Sequence, residues 1–184
     1  MRIALLSGTN RPGSNTRKVV KHLEAVYRAA GVDAPVLDLV DLPPTLFAPE
    51  AYAEHPAAFT PFADTFLRAD GVHVVVPEYN GGAPGVLKYF IDMLKYPESF
   101  ARKPVAFTGL SAGIWGAFRP VEHLESLFIN LGSYVYPERV FLPGIATHLE
   151  EDGSLSNPVS IKRLQTQASG FVDFAARLKK PVEA

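Results

Sequence analysis

Short apolar runs alternate with segments of helical spacing along the whole chain, and this alternation restricts the possible folds more than any other feature. Five runs are typical of strands, over residues 3–6, 35–39, 72–76, 104–107 and from 134–136 onward. Between and after them, apolar residues three or four positions apart predict five helices, over 19–30, 59–69, 87–94, 117–131 and 161–178. This order predicts a parallel sheet with helices on both faces.

The carboxyl edge of that sheet is where a ligand site is expected. Right-handed crossovers favour a doubly wound three-layer sandwich, and for five strands we expect the order 2-1-3-4-5. Such sheets bind ligands where the strand order reverses, here between strands one and three. The loops after Leu6, Val76 and Phe107 are therefore the candidate binding loops. We expect residues 1–184 to form a single domain.

Composition excludes several kinds of protein. The 184 residues include no cysteine, which excludes a disulfide scaffold, a thiolate metal site and a cysteine nucleophile. The net charge of −1 gives no basis for binding nucleic acid or a membrane surface, and no apolar run approaches the roughly 20 residues of a bilayer span. The five histidines have no metal-ligand spacing, so we expect no metal. The apolar N-terminal stretch is too short for a signal peptide, so we expect a cytoplasmic protein.

The loop after the first strand, residues 7–16, has the chemistry of a phosphate site. It leads into a helix N-terminus, whose free N–H groups attract an anion, and Thr9 and Arg11 add donors. Its two glycines are spaced as in a triphosphate P-loop, but Ser14 stands where that loop needs lysine, so a single terminal phosphate fits better. An ordinary helix cap is the alternative, because Ser14 and Asn15 are good N-cap residues.

The other two loops have backbones that a flat ligand could approach. Residues 77–85 contain two prolines and three glycines, and Tyr79 and Asn80 offer a ring and an amide for a heterocycle. Residues 109–116 are also rich in small residues, which leaves backbone amides open. Each loop alone could be a structural turn. Three such loops at one sheet edge favour a binding site.

In these loops, the sequence resembles the NADPH-dependent FMN reductase family, which includes quinone, chromate and azo-dye reductases. The family's Gly-Ser-x-Arg-x-x-Ser matches residues 8–14, with Thr9 in place of serine. Its Pro-Glu-Tyr-Asn signature, followed by small residues, Pro-Gly, Leu-Lys and an Ile-Asp pair, matches residues 77–92. The resemblance covers roughly residues 1–140. Ile114 and Trp115 depart from it, since the family usually has more glycine there.

The resemblance implies a flavodoxin-like α/β sandwich that binds FMN and uses NADPH or NADH. It implies that the FMN phosphate is held by Thr9, Arg11, Ser14, Asn15 and Thr16. It implies that the isoalloxazine is lined by Pro77, Glu78, Tyr79, Asn80 and Gly81, and that its pyrimidine end faces Ser111, Ala112, Gly113 and Gly116. It also implies a homodimer or homotetramer, and surplus apolar residues on the helix at 85–96 likewise predict self-association.

The expected function is an FMN-dependent NAD(P)H oxidoreductase that reduces a small acceptor, such as a flavin, a quinone, an azo dye or a metal oxyanion. Because the flavin supplies the hydride chemistry, no side chain is expected to act as a general acid or base. We expect the sheet edge and residues 77–81 to block one flavin face, and residues 41–58 to roof part of the other. The two substrates then cannot stack on the open face together, which predicts a ping-pong mechanism. The alternatives are a flavodoxin-type electron carrier, which is normally far more acidic than this chain, and a non-enzymatic nucleotide-binding module.

Overall fold

The computed structural model describes residues 1–179, and its helices and strands follow the alternation of the sequence. The strands are β1 (Ile3–Ser7), β2 (Val36–Asp38), β3 (Gly71–Pro77), β4 (Pro104–Leu110), β5 (Tyr134–Val135) and β6 (Val140–Leu142). The helices are α1 (Asn15–Ala29), α2 (Thr60–Arg68), α3 (Gly85–Asp92), α4 (Phe118–Asn130) and α5 (Pro158–Leu178). Every predicted helix and strand position is present, with ends that differ by a few residues.

The strands pair in parallel in the order β2-β1-β3-β4-β5, which confirms the predicted order. β6 also pairs with β4, since Val140 lies beside Thr108, whereas Tyr134 of β5 lies beside Pro104. β5 and β6 are therefore two halves of the fifth strand, interrupted at residues 136–139. In the interruption, the carbonyl of Glu138 accepts a hydrogen bond from Gln167 Nε2 of α5 at 2.9 Å.

The two faces of the sheet form two separate hydrophobic cores, because side chains alternate along each strand. Ala4 and Leu6 of β1 face the core formed with α2, α3 and α4, where Phe66, Phe90 and Phe128 are fully buried. Ile3 and Leu5 face the other core, formed with α1 and α5. Both faces of the central strands are thus covered, as the continuous apolar runs predict.

One row of buried, hydrogen-bonded polar side chains crosses the second core. Gln167 Nε2 donates to the carbonyls of Phe107 and Glu138, so its Oε1 accepts the Thr108 hydroxyl hydrogen at 2.7 Å. Thr108 Oγ1 must then accept from His73 Nε2–H at 2.8 Å, which leaves His73 Nδ1 to accept from the Tyr27 hydroxyl, also at 2.8 Å. His73 is therefore a neutral Nε2–H tautomer with both ring nitrogens satisfied. These hydrogen bonds join α1, β3, β4 and α5.

The connection between β2 and α2 is folded rather than extended. It contains four short 3-10 turns, at Leu39–Asp41, Pro44–Phe47, Pro49–Tyr52 and Ala57–Phe59. Its buried apolar residues pack into the first core, and the Tyr89 hydroxyl of α3 donates to the Leu46 carbonyl at 2.6 Å. The connection packs on α3 and none of its residues lines the cleft at the sheet edge, so the expectation that residues 41–58 roof part of the flavin face remains a prediction.

This connection also accounts for much of the surplus apolar surface on α3. Phe90 is fully buried, and Met93 and Leu94 just beyond α3 are buried as well. Among the apolar residues that predicted self-association, Tyr96 is the most exposed, with 64% of its surface accessible. Most of the surplus is therefore used inside the chain, and self-association remains a prediction.

Candidate functional site

A cleft of about 360 Å³ opens at the carboxyl edge of the sheet, where β1, β3 and β4 end. It is lined by Arg11, Pro12, Gly13, Ser14, Asn15, Thr16, Pro77, Glu78, Tyr79, Leu110, Ser111, Ala112 and Ile145. The structure therefore brings the three candidate loops together at one cavity. Nine of the predicted site residues line it, namely Arg11, Ser14, Asn15, Thr16, Pro77, Glu78, Tyr79, Ser111 and Ala112.

The end of the cleft next to α1 is built to attract an anion. Ser14 is the N-cap of α1, and its hydroxyl accepts a hydrogen bond from Arg17 N at 3.2 Å. Gly13, with φ at +65°, turns the chain just before the cap. The first amides of a helix lack intrahelical partners, and Arg11 adds a guanidinium with no ion pair or side-chain hydrogen bond within residues 1–179. Capping and anion binding are thus compatible uses of this loop.

Arg17, on the first turn of α1, lies outside the cleft. Its Nε pairs with Asp38 Oδ2 at 3.0 Å, at the end of β2. This ion pair compensates the unfavourable position of a cation near a helix N-terminus.

Thr9 connects the first loop to the second and does not itself line the cleft. The residue is only 1% exposed, and its hydroxyl forms a hydrogen bond with the Tyr79 hydroxyl at 2.8 Å. Thr9 Oγ1 also accepts from Arg11 N at 3.2 Å. These bonds fix the Tyr79 ring relative to the candidate phosphate-binding loop, residues 7–16, which suits a positioning role for Thr9.

The second loop ends in a tight turn that moves two predicted residues away from the cleft. Tyr79 and Gly82 exchange backbone hydrogen bonds of 2.9 and 3.0 Å. Between them, Asn80 and Gly81 have φ values of +52° and +78°, as in a type I′ turn, for which Asn-Gly is the preferred pair. Both residues are exposed and neither lines the cleft, so their predicted contact with the isoalloxazine remains a prediction.

The third loop is held in shape by the Ser111 side chain. Ser111 Oγ donates to Gly113 O and accepts from Gly116 N, both at 2.9 Å. Gly116 is buried and its N–H is already bonded, so this amide serves the loop, while Gly113 lies beyond the cleft lining. The predicted ligand contacts of Gly113 and Gly116 remain predictions.

Glu78 is the one carboxylate in the cleft lining. Its side chain is 12% exposed, and Oε1 lies 3.5 Å from Arg119 Nη1 of α4. Its Oε2 is buried and has no hydrogen-bond partner among the described residues. Because Glu78 is part of the cleft wall, its carboxylate is a candidate acceptor for an N–H group of a bound heterocycle.

Sequence reasoning missed two apolar members of the lining, Leu110 and Ile145. Leu110 ends β4 three residues beyond the predicted strand. Ile145 lies far along the chain, and its N–H donates to Ser111 O at 3.0 Å. No local pattern marks Ile145 as a site residue, because only the pairing of β6 with β4 brings it there.

The arrangement fits FMN on chemical grounds. One end of the cleft offers hydroxyl, amide and guanidinium donors at a helix N-terminus, which suits a phosphate. The other end combines apolar walls from Pro77, Leu110 and Ile145 with the ring of Tyr79 and the carboxylate of Glu78, which suits a flat heterocycle with an N–H group.

Comparison with known proteins gives a consistent result. The model of the family described as NADPH-dependent FMN reductase matches residues 1–147. A quinone reductase of Escherichia coli (strain K12) is 29% identical over 185 residues, which cover 97% of this chain and 97% of that protein. A 2-hydroxy-1,4-benzoquinone reductase of a Burkholderia species is 26% identical over 171 residues, covering 90% of this chain and 91% of that protein. Among solved structures, the NAD(P)H:acceptor oxidoreductase FerB of Paracoccus denitrificans superposes with a TM-score of 0.81 at 27% identity, over 96% of this chain and 97% of FerB.

Two features are absent from residues 1–179. No helix there has the length and apolar character that crossing a membrane requires. Nor do those residues contain a cluster of three or more His, Cys, Asp or Glu side chains suited to a metal ion.

Proposed function

Because the chain belongs to the NADPH-dependent FMN reductase family, we propose that it binds FMN in this cleft and uses it to reduce a small acceptor of the quinone class. The chain is a flavodoxin-like oxidoreductase whose cofactors are FMN and NAD(P)H. Bound FMN would supply the chemistry that transfers a hydride from NAD(P)H and electrons to the acceptor. The observation that carries the proposal is the cleft itself, with anion donors at the α1 end and apolar walls at the β3 and β4 end.

In this proposal the chain's own residues bind and orient the cofactor. Arg11, Ser14, Asn15 and Thr16 hold the phosphate at the N-terminus of α1, where the helix end and the guanidinium both favour a negative charge. Thr9 keeps the Tyr79 ring in place through the bond between their hydroxyls. Leu110 and Ile145 exclude water from the inner wall, and Glu78 accepts a hydrogen bond from the ring system.

The phosphate assignment is tested by comparing FMN with riboflavin, which lacks the phosphate. Arg11→Ala should weaken FMN binding by about 1–3 kcal/mol, the range for a charge-assisted hydrogen bond, and leave riboflavin binding nearly unchanged. Flavin fluorescence titration measures both affinities. The control is Arg68→Ala, which removes another exposed arginine, one paired with Asp64 on α2. Equal losses for FMN and riboflavin would show that Arg11 does not contact the phosphate.

The names of the relatives favour a quinone as the acceptor. Both the Escherichia coli protein and the Burkholderia protein are quinone reductases by name. The test is a panel of quinones, free flavin, azo dyes and chromate, each with NADPH and with NADH. NAD(P)H oxidation by the pure protein also separates a reductase from an electron carrier, which would bind FMN without turnover.

We further propose a ping-pong mechanism, because a bound flavin would leave one face open to both substrates. The loops after β3 and β4 would cover one flavin face and its rim, so NAD(P)H and acceptor would both approach the remaining face. The oxidised nicotinamide must then leave before the acceptor enters. Initial-rate plots should give parallel lines as the second substrate is varied. Intersecting lines would show that both substrates are bound together.

The proposal also includes the oligomeric state and the cellular location. We propose a homodimer or homotetramer in contact through exposed aromatic residues near α3, including Phe47, Tyr52 and Tyr96. A mass of about 20 kDa in light scattering, that of one chain, would contradict this. We also propose a cytoplasmic location, where the reduced nicotinamide nucleotides that the family needs are maintained.

A further inference from the structure

The loop after β4 presents large apolar side chains to solvent just beyond the cleft. Ile114 is 82% exposed and Trp115 is 55% exposed, although Ser111 and Ala112 of the same loop line the cleft. Leaving such side chains in water forgoes the free energy of burying them, so an aromatic ring beside a ligand cavity is a candidate contact for a bound molecule.

The backbone around Trp115 is fixed rather than loose. Ser111 Oγ bonds to Gly113 O and to Gly116 N, and Phe118 N donates to Trp115 O at 3.0 Å. Gly116 and Ala117 then adopt left-handed conformations, with φ at +57° and +69°, before α4 begins. The indole is therefore exposed on a rigid base, which reduces the entropy that a ligand would have to remove on stacking against it.

Arg119 connects this aromatic ring to the cleft. Its guanidinium lies 5.2 Å from the centre of the Trp115 ring, and its Nη1 lies 3.5 Å from Glu78 Oε1 in the cleft wall. The nearby carboxylates of α4, Glu122 and Glu125, face Arg139 instead, at 3.8 and 3.0 Å. Within residues 1–179, Arg119 thus has one long ion pair, and most of its planar donors are free.

We propose that Trp115 and Arg119 form a rim subsite that binds a flat aromatic ring carrying a negative charge. The indole supplies the stacking surface, and the guanidinium, already oriented by the indole, supplies the charge-assisted hydrogen bonds. The proposal rests on the proposed function, because that function brings two molecules of this chemistry to the cleft mouth. One is an anionic quinone acceptor, and the other is the adenosine 2′-phosphate of NADPH.

The experiment uses the oxidised FMN-loaded enzyme without a reductant, so that binding is measured in the absence of turnover. Two ligand pairs differ in one negative group, namely naphthoquinone sulfonate against naphthoquinone, and NADP⁺ against NAD⁺. Calorimetry gives the affinities. Trp115 is the only tryptophan in the chain, so every change in tryptophan emission arises from this one indole.

The anionic member of at least one pair should bind more tightly and change the Trp115 emission. Arg119→Gln should weaken that ligand about five- to tenfold and leave its neutral partner within about twofold. Trp115→Ala should weaken both members of the responding pair about three- to tenfold, because stacking does not depend on the charge. The matched control is Arg68→Gln, an exposed arginine whose guanidinium pairs with Asp64 at 3.0 Å.

A response in the quinone pair assigns the subsite to the acceptor, and a response in the nucleotide pair assigns it to NADPH. The proposal is overturned if neither pair shows a charge preference, or if that preference survives Arg119→Gln. FMN affinity, titrated in parallel, separates this test from that of the proposed function. A chain that does not bind FMN contradicts the proposed function, whereas normal FMN binding without a charge preference contradicts the rim subsite alone.

Discussion

Acidification should destabilise the folded protein through one buried histidine, His73. The residue is fully buried in the middle of β3, and its two ring nitrogens are bonded to Tyr27 and Thr108. In the Nε2–H tautomer every partner is satisfied. A second proton on Nδ1 would displace the hydrogen bond from the Tyr27 hydroxyl and place an uncompensated charge in an apolar core.

The expected size of the effect follows from the pKa of His73. Burial lowers this pKa from 6.5 to about 3. Between these two pH values the unfolded state binds more protons than the folded state, so the contribution of His73 is complete above about pH 6.5 and declines as the pH falls toward 3. At about pH 5 the loss is about 2 kcal/mol, and the full displacement of the pKa corresponds to about 5 kcal/mol.

The assay compares wild type with His73→Gln by urea unfolding at pH 7 and at about pH 5, both with saturating FMN. Glutamine can accept from Tyr27 and donate to Thr108, but it does not titrate. Wild type should therefore lose about 2 kcal/mol more than the variant on acidification. Contributions of the other groups that titrate, such as His22, whose pKa burial also lowers, are common to both proteins and cancel.

Equal pH dependence in the two proteins would refute this reasoning. An independent check is the NMR titration of the His73 ring in wild type, which does not require the variant to fold. The ring signals should stay those of neutral imidazole down to about pH 5. A midpoint near 6.5 would show that the ring is not buried in the bonded state described above.

Two further predictions concern the scaffold that supports the cleft. Lys103→Met should destabilise the protein by about 2 kcal/mol in urea unfolding, because Lys103 Nζ donates to the carbonyls of Phe66, Leu67 and Ala69 at the end of α2. Exposed Lys95, changed in the same way, should have an effect within about 0.5 kcal/mol. Gly109→Ala should weaken FMN binding and lower stability by about 1–3 kcal/mol, because a Cβ there would lie 2.5 Å from the carbonyl oxygen of Gly116 and force the third loop to move. Gly85→Ala, where a Cβ meets open space, is the matched control, and an equal loss of FMN affinity in both variants would contradict the steric argument.

Much of the site could be located from the sequence because the fold itself follows from local patterns. Apolar spacing identifies strands and helices, and the handedness of crossovers then leaves few possible strand orders. The observed order β2-β1-β3-β4-β5 places the ends of β1, β3 and β4 side by side. The three loops therefore had to meet, and the cleft lies where they do.

The roles of single residues inside those loops were less predictable. Asn80 and Gly81 are predicted ligand contacts, but an Asn-Gly pair is also the preferred sequence of a type I′ turn, and the structure places them at the tip of such a turn. Thr9 is a predicted phosphate ligand, and the structure shows in addition that its hydroxyl bonds to that of Tyr79, 70 residues away. A small polar residue serves ligand binding and loop geometry equally well, so its type alone does not distinguish the two.

The sequence by itself determined the layers, the strand order and the sheet edge that carries the cleft, since these depend on apolar spacing within about 20 residues at a time. Only the tertiary structure decided which distant groups meet. It placed Ile145 against Ser111, turned residues 41–58 onto α3, and joined His73 to Tyr27, Thr108 and Gln167. These contacts depend on close packing and on the partner that each buried polar group finds across the core, and neither leaves a periodic signal in the chain.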